Sequence, residues 1–154
     1  LAFAEDAVGE QAVDTDVNVL LNEAADDARR QGAKVEYGSA DVLRGRIRPL
    51  SLKRCLDNLL GNAHRYAKHS ALAAWRDGDI IVITVEDDGP GISEMEREAA
   101  FRPFYRLENS RNRGTGGVGL GLAITRDTVR NQGGDVILDD APLGGLRATI
   151  RLPA

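Results

Sequence analysis

The sequence LDNLLGNAHRYAK, residues 56–68, carries the strongest structural signal in this 154-residue chain. Leucines and alanines at three- and four-residue steps predict a helix over residues 51–68 with one buried face. At about 100° per residue, Asn58, Asn62 and Arg65 form a polar stripe on the flank of that face. Interior asparagines weaken a helix unless they are used, because their side chains compete with the backbone for hydrogen bonds. Carboxamide oxygens suit Mg²⁺ beside a triphosphate, whereas exposed or capping asparagines are the alternative.

The composition describes one globular domain of ordinary size. The chain is 42% hydrophobic and 29% charged, which is usual for soluble proteins. No apolar run approaches the ~18 residues of a membrane span, and no signal peptide opens the chain. The net charge of −4 argues against general nucleic-acid affinity. The single cysteine, Cys55, excludes an internal disulfide and is expected to be a small packed residue. Because the first residue is not Met, we expect a fragment of a longer chain.

Hydrophobic periodicity and turn residues divide the chain into helices and strands. Residues 9–15 are interpreted as a linker, after which Asp16 caps the first helix. The predicted elements are a helix over 17–31, paired strands over 34–37 and 42–47, the helix over 51–68, strands over 70–76 and 79–87, a brief helix over 93–100, a long loop over 101–121, a helix over 122–132 and a hairpin of strands over 135–139 and 146–152. Paired strands with helices between them favour an α+β two-layer sandwich, with helices on one face of a mixed sheet.

The strand over 79–87 ends in the turn Asp87-Asp88-Gly89-Pro90-Gly91. Its β-branched residues predict a central strand. Gly89 and Gly91 permit positive φ and close approach of a flat ligand to the backbone. A carboxylate at the strand end, Asp87, can accept a hydrogen bond from an exocyclic amine such as adenine N6. An ordinary surface turn is the alternative.

Five glycines between residues 114 and 121 lead into the helix over 122–132. Glycines at a helix N-terminus offer free N–H groups and the positive end of the helix dipole to phosphate. A flexible linker would not explain why Val118, Leu120 and Leu122 are interleaved with them. The pattern is neither a P-loop nor a dinucleotide-binding fingerprint.

Basic residues concentrate near the same loop. Arg106, Arg111 and Arg113 lie within it, and guanidinium groups suit phosphate oxygens, although surface solvation is the alternative for each. His64 and His69 are expected at the surface, because no Cys or third His completes a metal cluster with them.

These segments together resemble the catalytic, ATP-binding domain (HATPase_c, the Bergerat fold) of a bacterial sensor histidine kinase. Its superfamily includes gyrase, heat-shock-90 and mismatch-repair ATPases. Residues 56–66 resemble the N box, 87–92 the G1 box, 101–106 the F box and 116–124 the G2 box, within a match over 17–153. Pro-Phe-Tyr-Arg in the F box suggests the osmosensor-like (EnvZ-like) branch.

The resemblance implies Mg²⁺–ATP as the ligand, held in an α/β sandwich under a Gly/Arg-rich lid. Asn62 together with Asn58 would hold Mg²⁺, and Asp87 would hold the adenine amine. The implied ATP contacts are Asn58, Asn62, Arg65, Tyr66, Asp87, Gly89, Gly91, Ile92, Arg106, Arg111, Gly117, Val118, Gly119, Leu120 and Gly121. Arg106 or Arg111 would reach the γ-phosphate. Arg65 stands where Lys is frequent, which keeps the charge and alters the geometry.

The resemblance also implies partners. The phosphoacceptor would be a His on a dimerisation domain absent from this chain, with residues 1–15 as the remnant of that domain plus linker and 16–154 as the catalytic domain. A response regulator's receiver domain would take the phosphoryl group next, and no nucleic acid is expected. The parent would be a membrane-bound homodimer of the bacterial inner membrane with this domain in the cytoplasm, and the domain alone would be monomeric.

Two other functions compete with the kinase interpretation. An ATPase of the same superfamily is expected to place a water-activating Glu where Asn58 stands. Asn cannot take a proton, and the adjacent Asp57 projects about 100° away. A nucleotide-sensing or docking module would bind ATP yet phosphorylate no helical domain.

Overall fold

The structure is a computed structural model that describes residues 9–38, 42–103 and 121–154. Its helices are α1 (Val17–Arg30), α2 (Pro49–Tyr66) and α3 (Gly121–Arg130), and its strands are β1 (Val13–Asp16), β2 (Val35–Glu36), β3 (Arg44–Ile47), β4 (Ser70–Asp77), β5 (Ile80–Asp87), β6 (Asp135–Asp140) and β7 (Leu146–Pro153). Among the described residues, none of these helices has the length and apolar character that crossing a bilayer requires.

Five strands form one mixed sheet in the order β2-β4-β5-β7-β6. Only the β2–β4 pair is parallel, and the others are antiparallel. The central position of β5 and the β6–β7 hairpin are both as predicted. Ile81, Ile83 and Val85 of β5 share one core with the leucines of α2. Trp75 and Ile137, on the opposite face, are each 48% exposed, so helices cover one face of the sheet and the predicted α+β sandwich is confirmed.

The predicted pairing of the strands over 34–37 and 42–47 is wrong. β2 pairs in parallel with β4, where Val35 lies opposite Ser70. β3 instead pairs antiparallel with β1, where Val13 lies opposite Ile47. Alternation of polar and apolar residues identifies a strand but not its partner, because the partner is chosen by packing.

Val13–Asp16, which overlap the end of the predicted linker, form β1. The linker interpretation of residues 9–15 is therefore wrong for its last three residues, which belong to a two-stranded sheet with β3. That sheet packs closely on the main one: a Cβ at Gly45 would lie 2.5 Å from the Cβ of Ala154 and 3.0 Å from Cδ1 of Ile81.

Helix α2 begins at Pro49, two residues before the predicted start. Proline suits the first helical position because its missing N–H would have no partner there. The carboxylate of Glu10 accepts hydrogen bonds from the backbone N–H of Leu50 (2.7 Å) and of Ser51 (2.8 Å). A side chain from the segment before β1 thus caps the helix that carries both asparagines. Cys55 lies inside this helix and is buried, as predicted.

The predicted brief helix over 93–100 is two separate single turns of 3-10 helix, Glu94–Glu96 and Ala99–Phe101. Phe101 is buried in the core, and the guanidinium of Arg126 from α3 lies 4.0 Å from its ring centroid. This contact anchors the first residue of the predicted long loop.

Candidate nucleotide-binding site

Asp87 is the last residue of β5, and its side chain is locked in place. Its Oδ1 accepts hydrogen bonds from the backbone N–H of Gly89 (2.9 Å) and of Leu146 (3.1 Å). Its carbonyl oxygen accepts a third from the N–H of Gly145 (3.1 Å). No described residue donates to Oδ2, although the residue is only 8% exposed. One carboxylate oxygen is thus saturated by the fold and the other is available to a ligand donor.

Close backbone approach explains two glycines around this carboxylate. A Cβ at Gly145 would lie 2.1 Å from Oδ1 of Asp87, and a Cβ at Gly89 would lie 2.7 Å from the carbonyl oxygen of Tyr66. Gly91 is required for a different reason, since its φ is 71°. The β6–β7 turn therefore forms one wall around Asp87.

Gly145 and Leu146 are parts of this site that the sequence patterns do not predict. Residues 142–145 have the composition of an ordinary hairpin turn. The available signal was the doubled glycine, because Gly144 alone has the positive φ (101°) of the turn. The second glycine is required by its contact with Asp87, which lies 58 positions earlier and is invisible to local patterns.

The polar stripe on α2 lies where the periodicity predicted. Asn58, Asn62 and Tyr66 are half-buried, and Arg65 is exposed. Nη1 of Arg65 donates to Oδ1 of Asn62 at 3.3 Å. Because a carboxamide oxygen has two lone pairs, that oxygen keeps capacity for a second partner.

The first residue of α3 lies against this stripe. A Cβ at Gly121 would lie 3.6 Å from both amide atoms of Asn62 and 3.9 Å from the Cβ of Asn58. The last glycine of the run between residues 114 and 121 thus meets the asparagines. Free N–H groups at such a helix start favour an anion in the same place.

Helix α2, which carries the asparagines, also contacts the turn that begins at Asp87. Gly89 packs on the last residue of α2, Tyr66. Asp88 accepts hydrogen bonds from Lys68 and His69, which lie just beyond Ala67 at the end of that helix. An open groove runs over this junction, lined by Arg65, Tyr66, Ala67, Lys68, Asp88, Gly89 and Pro90. This groove therefore lies between Arg65 of the polar stripe and the turn that follows Asp87, and the start of α3 meets the same stripe at Asn58 and Asn62.

The turn itself carries one strongly shifted group. The pKa of Asp88 is lowered to about 2 by hydrogen bonds from the backbone and the ring of His69, with a further bond from the N–H of Lys68. His64 and His69 are both exposed, as predicted. The pairing of His69 with Asp88 was not predicted.

Six of the predicted ATP contacts lie outside the described residues, namely Arg106, Arg111, Gly117, Val118, Gly119 and Leu120. Their roles stay predictions. Ile92 is described, and it is a core residue that is 8% exposed.

The donor chemistry fits a magnesium ion bound together with phosphate. Asn58 and Asn62 supply neutral oxygens, which Mg²⁺ accepts when phosphates and water complete its octahedral shell. No group of three or more His, Cys, Asp or Glu side chains that could hold a metal is found in the described ranges.

Together these features describe an α+β domain in which the helix with two asparagines contacts the turn that follows the strand-end acid. Residues 47–154 match the family model described as histidine kinase-, DNA gyrase B-, and HSP90-like ATPase. The chain belongs to this family, which identifies the nucleotide as ATP.

Named relatives are sensor kinases. The chain is 47% identical over 106 residues to the sensor histidine kinase CpxA of Escherichia coli strain K12, covering 68% of this chain and 23% of that protein. It is 38% identical over 147 residues to the sensor histidine kinase GtrS of Pseudomonas aeruginosa, covering 95% of this chain and 30% of that protein. The chain thus spans less than a third of these curated relatives.

The solved ATP-binding domain of PrrB from Mycobacterium tuberculosis has the same fold. It superposes with a TM-score of 0.78 at 30% identity, over 94% of this chain and 98% of that one.

Proposed function

We propose that this chain binds Mg²⁺–ATP and donates the γ-phosphoryl group to a histidine on a separate dimerisation domain, for relay to an aspartate of a response regulator. The observation that carries the proposal is the state of Asp87. Its Oδ1 is saturated by two backbone N–H groups, and its Oδ2 is left for the adenine amine. A buried acceptor held this rigidly is a feature of recognition, because its orientation needs no reorganisation when the ligand binds.

The groups around Asp87 divide the work. Asp87 would hold the adenine ring, and Tyr66 and Arg65 would contact the sugar or the phosphates. Asn58 and Asn62 would hold Mg²⁺ without adding negative charge next to the triphosphate, and Gly121 would bring the start of α3 to the phosphates. The bound Mg²⁺ would neutralise charge on the transferring phosphoryl group. Phosphoryl transfer then depends on positioning the nucleotide against the incoming histidine.

The geometry favours the kinase over an ATPase. A water-activating base would have to stand near Asn58. The neighbouring carboxylate, Asp57, is engaged elsewhere, since its Oδ2 lies 3.0 Å from Nζ of Lys53 and its side chain is 46% exposed. We therefore expect slow hydrolysis in the absence of an acceptor domain.

The parent protein is proposed to be a membrane-bound homodimer with this domain in the cytoplasm. Residues 1–15 would then connect it to the dimerisation domain, and residues 16–154 would form the catalytic domain. The end of this connection is part of the folded unit, because Glu10 caps α2 and β1 pairs with β3.

The test is a phosphotransfer assay. The chain is mixed with candidate dimerisation domains and γ-labelled ATP, and acid-labile phosphate is measured on the acceptor. Asn62→Asp is expected to weaken Mg²⁺–ATP binding at least tenfold, or about 1.4 kcal/mol, because it adds a negative charge beside the phosphates. ATP binding without transfer to any acceptor would instead support the sensing or docking module. Wild-type affinity in Asn62→Asp would reject the assigned metal site.

A further inference from the structure

Asp88 follows the proposed adenine-binding acid, but its side chain serves a different part of the fold. Its Oδ1 accepts the backbone N–H groups of Lys68 and His69, each at 2.9 Å. Its Oδ2 lies 2.8 Å from Nδ1 of His69. The N–H of Asp88 itself donates to the carbonyl oxygen of His69 at 3.2 Å. Four hydrogen bonds therefore connect this one residue to a two-residue segment.

That segment belongs to the link between α2 and β4. Helix α2 ends at Tyr66, and Ala67, Lys68 and His69 connect it to β4, which begins at Ser70. The backbone of Gly89 packs on the same helix end, since a Cβ there would lie 2.7 Å from the carbonyl oxygen of Tyr66. Asp88 consequently fastens the turn after β5 to the end of the helix that carries the two asparagines.

Asp87 does not depend on this fastening for its own orientation. Its carboxylate is held by Gly89 and by Leu146, and the latter belongs to β7. Losing the Asp88 side chain should therefore leave the acceptor for the adenine amine intact. What it should change is the position of the turn relative to α2.

We propose that Asp88 is a positioning residue that sets the separation between the adenine end of the nucleotide site, at Asp87, and its metal and phosphate end, at Asn58 and Asn62. The inference rests on the function proposed above. Mg²⁺–ATP spans both ends, so a preset separation lowers the ordering cost of binding it. Adenosine uses the adenine end alone and gains nothing from that separation.

The hydrogen bonds at Asp88 are strong enough to hold the turn after β5 against the end of α2. A carboxylate that accepts several N–H groups forms charge-assisted hydrogen bonds, which are stronger than neutral ones. The lowered pKa of Asp88, about 2, reflects the same bonds. Asp88 lies at the surface with 28% of its side chain exposed, so the number of bonds, rather than burial, holds the junction.

Two ligands and two substitutions test the inference on the intact chain. Asp88→Ala is expected to weaken Mg²⁺–ATP by about tenfold, while its adenosine affinity stays within about twofold of the wild type. Asp88→Asn keeps an oxygen for the N–H groups of Lys68 and His69, so its Mg²⁺–ATP affinity should remain within about threefold of the wild type. Asp79→Ala, in the exposed turn at the far end of β5, is the matched control. Calorimetry measures ATP and an NMR titration measures adenosine.

Amide hydrogen exchange gives a readout without nucleotide. The N–H groups of Lys68 and His69 should be protected in the wild type and in Asp88→Asn, and should exchange faster in Asp88→Ala. Unchanged protection in Asp88→Ala would overturn the fastening.

The binding outcomes separate this inference from the proposed function. If the wild type binds Mg²⁺–ATP and the Asp88→Ala variant binds it equally well, the inference is overturned and the proposed function stands. Equal losses for ATP and adenosine would also overturn it, because Asp88 would then act through overall stability or through Asp87. A wild-type chain that binds neither ligand would reject the proposed function, and the positioning role with it.

Discussion

Asp87→Asn should reverse one hydrogen bond of the nucleotide site and leave the fold intact. The amide oxygen of Asn would take the place of Oδ1, because the N–H groups of Gly89 and Leu146 donate there and would repel an NH2 group. The NH2 group would then occupy the position of Oδ2. A donor would face the adenine amine where the wild type offers an acceptor.

The magnitude follows from that exchange. A hydrogen bond to a charged group contributes about 1.5–3 kcal/mol, which corresponds to about 10- to 150-fold in the dissociation constant for ATP. The substitution also predicts a change of specificity. A 6-oxopurine nucleotide such as inosine triphosphate presents an acceptor in place of the amine, so the preference for ATP should shrink.

Isothermal calorimetry with Mg²⁺–ATP and Mg²⁺–ITP measures both effects. Asp79→Asn is the matched control, since Asp79 is an exposed carboxylate in the turn at the other end of β5. The midpoint of thermal unfolding should change little in either variant, because the backbone bonds at Oδ1 are kept. An Asp87→Asn variant with the wild-type affinity for ATP and the wild-type ATP/ITP ratio would refute the assignment of Oδ2 to the adenine amine.

Four further predictions concern stability and protonation. Gly145→Ala should destabilise the fold by about 1–3 kcal/mol in urea unfolding and weaken ATP binding, because its Cβ meets the acid of the site. Gly61→Ala should stabilise by about 0.5–1 kcal/mol, since it lies inside α2 with open space around it; a loss would contradict the space assigned to it. Glu10→Ala should lower the free energy of unfolding by about 1–3 kcal/mol through loss of the helix cap, and the exposed Glu23→Ala should not. NMR titration of the Asp88 carboxyl should give a pKa of about 2. Because this pKa is below the unfolded value of about 3.9, the contribution of Asp88 to stability is complete above pH ~4 and is lost as the pH falls towards 2. A measured pKa near 3.9 would contradict the hydrogen bonds assigned to Asp88.

Local patterns account for the elements that carry the site. The buried face of α2 and the half-buried stripe with Asn58 and Asn62 follow from a helical repeat of 3.6 residues. The end of β5 at Asp87 follows from a β-branched run that meets a glycine turn. The hairpins β4–β5 and β6–β7 join neighbouring segments through short turns. Each of these features depends on residues close together in the chain, so each can be inferred without knowing the packing.

Features that depend on distant residues could not be inferred in this way. β1 and β3 are about 30 positions apart, and their pairing displaced the expected β2–β3 pair. Gly145 and Leu146 reach Asp87 only after β7 has been placed beside β5. Asp88 meets His69 because β4 and β5 are antiparallel neighbours, so that the start of one strand lies beside the end of the other. The periodicity of the sequence specifies which face of an element a side chain occupies. The distant partner of that side chain depends on the packing of the whole chain, and the environment of Asp87 is decided by that packing.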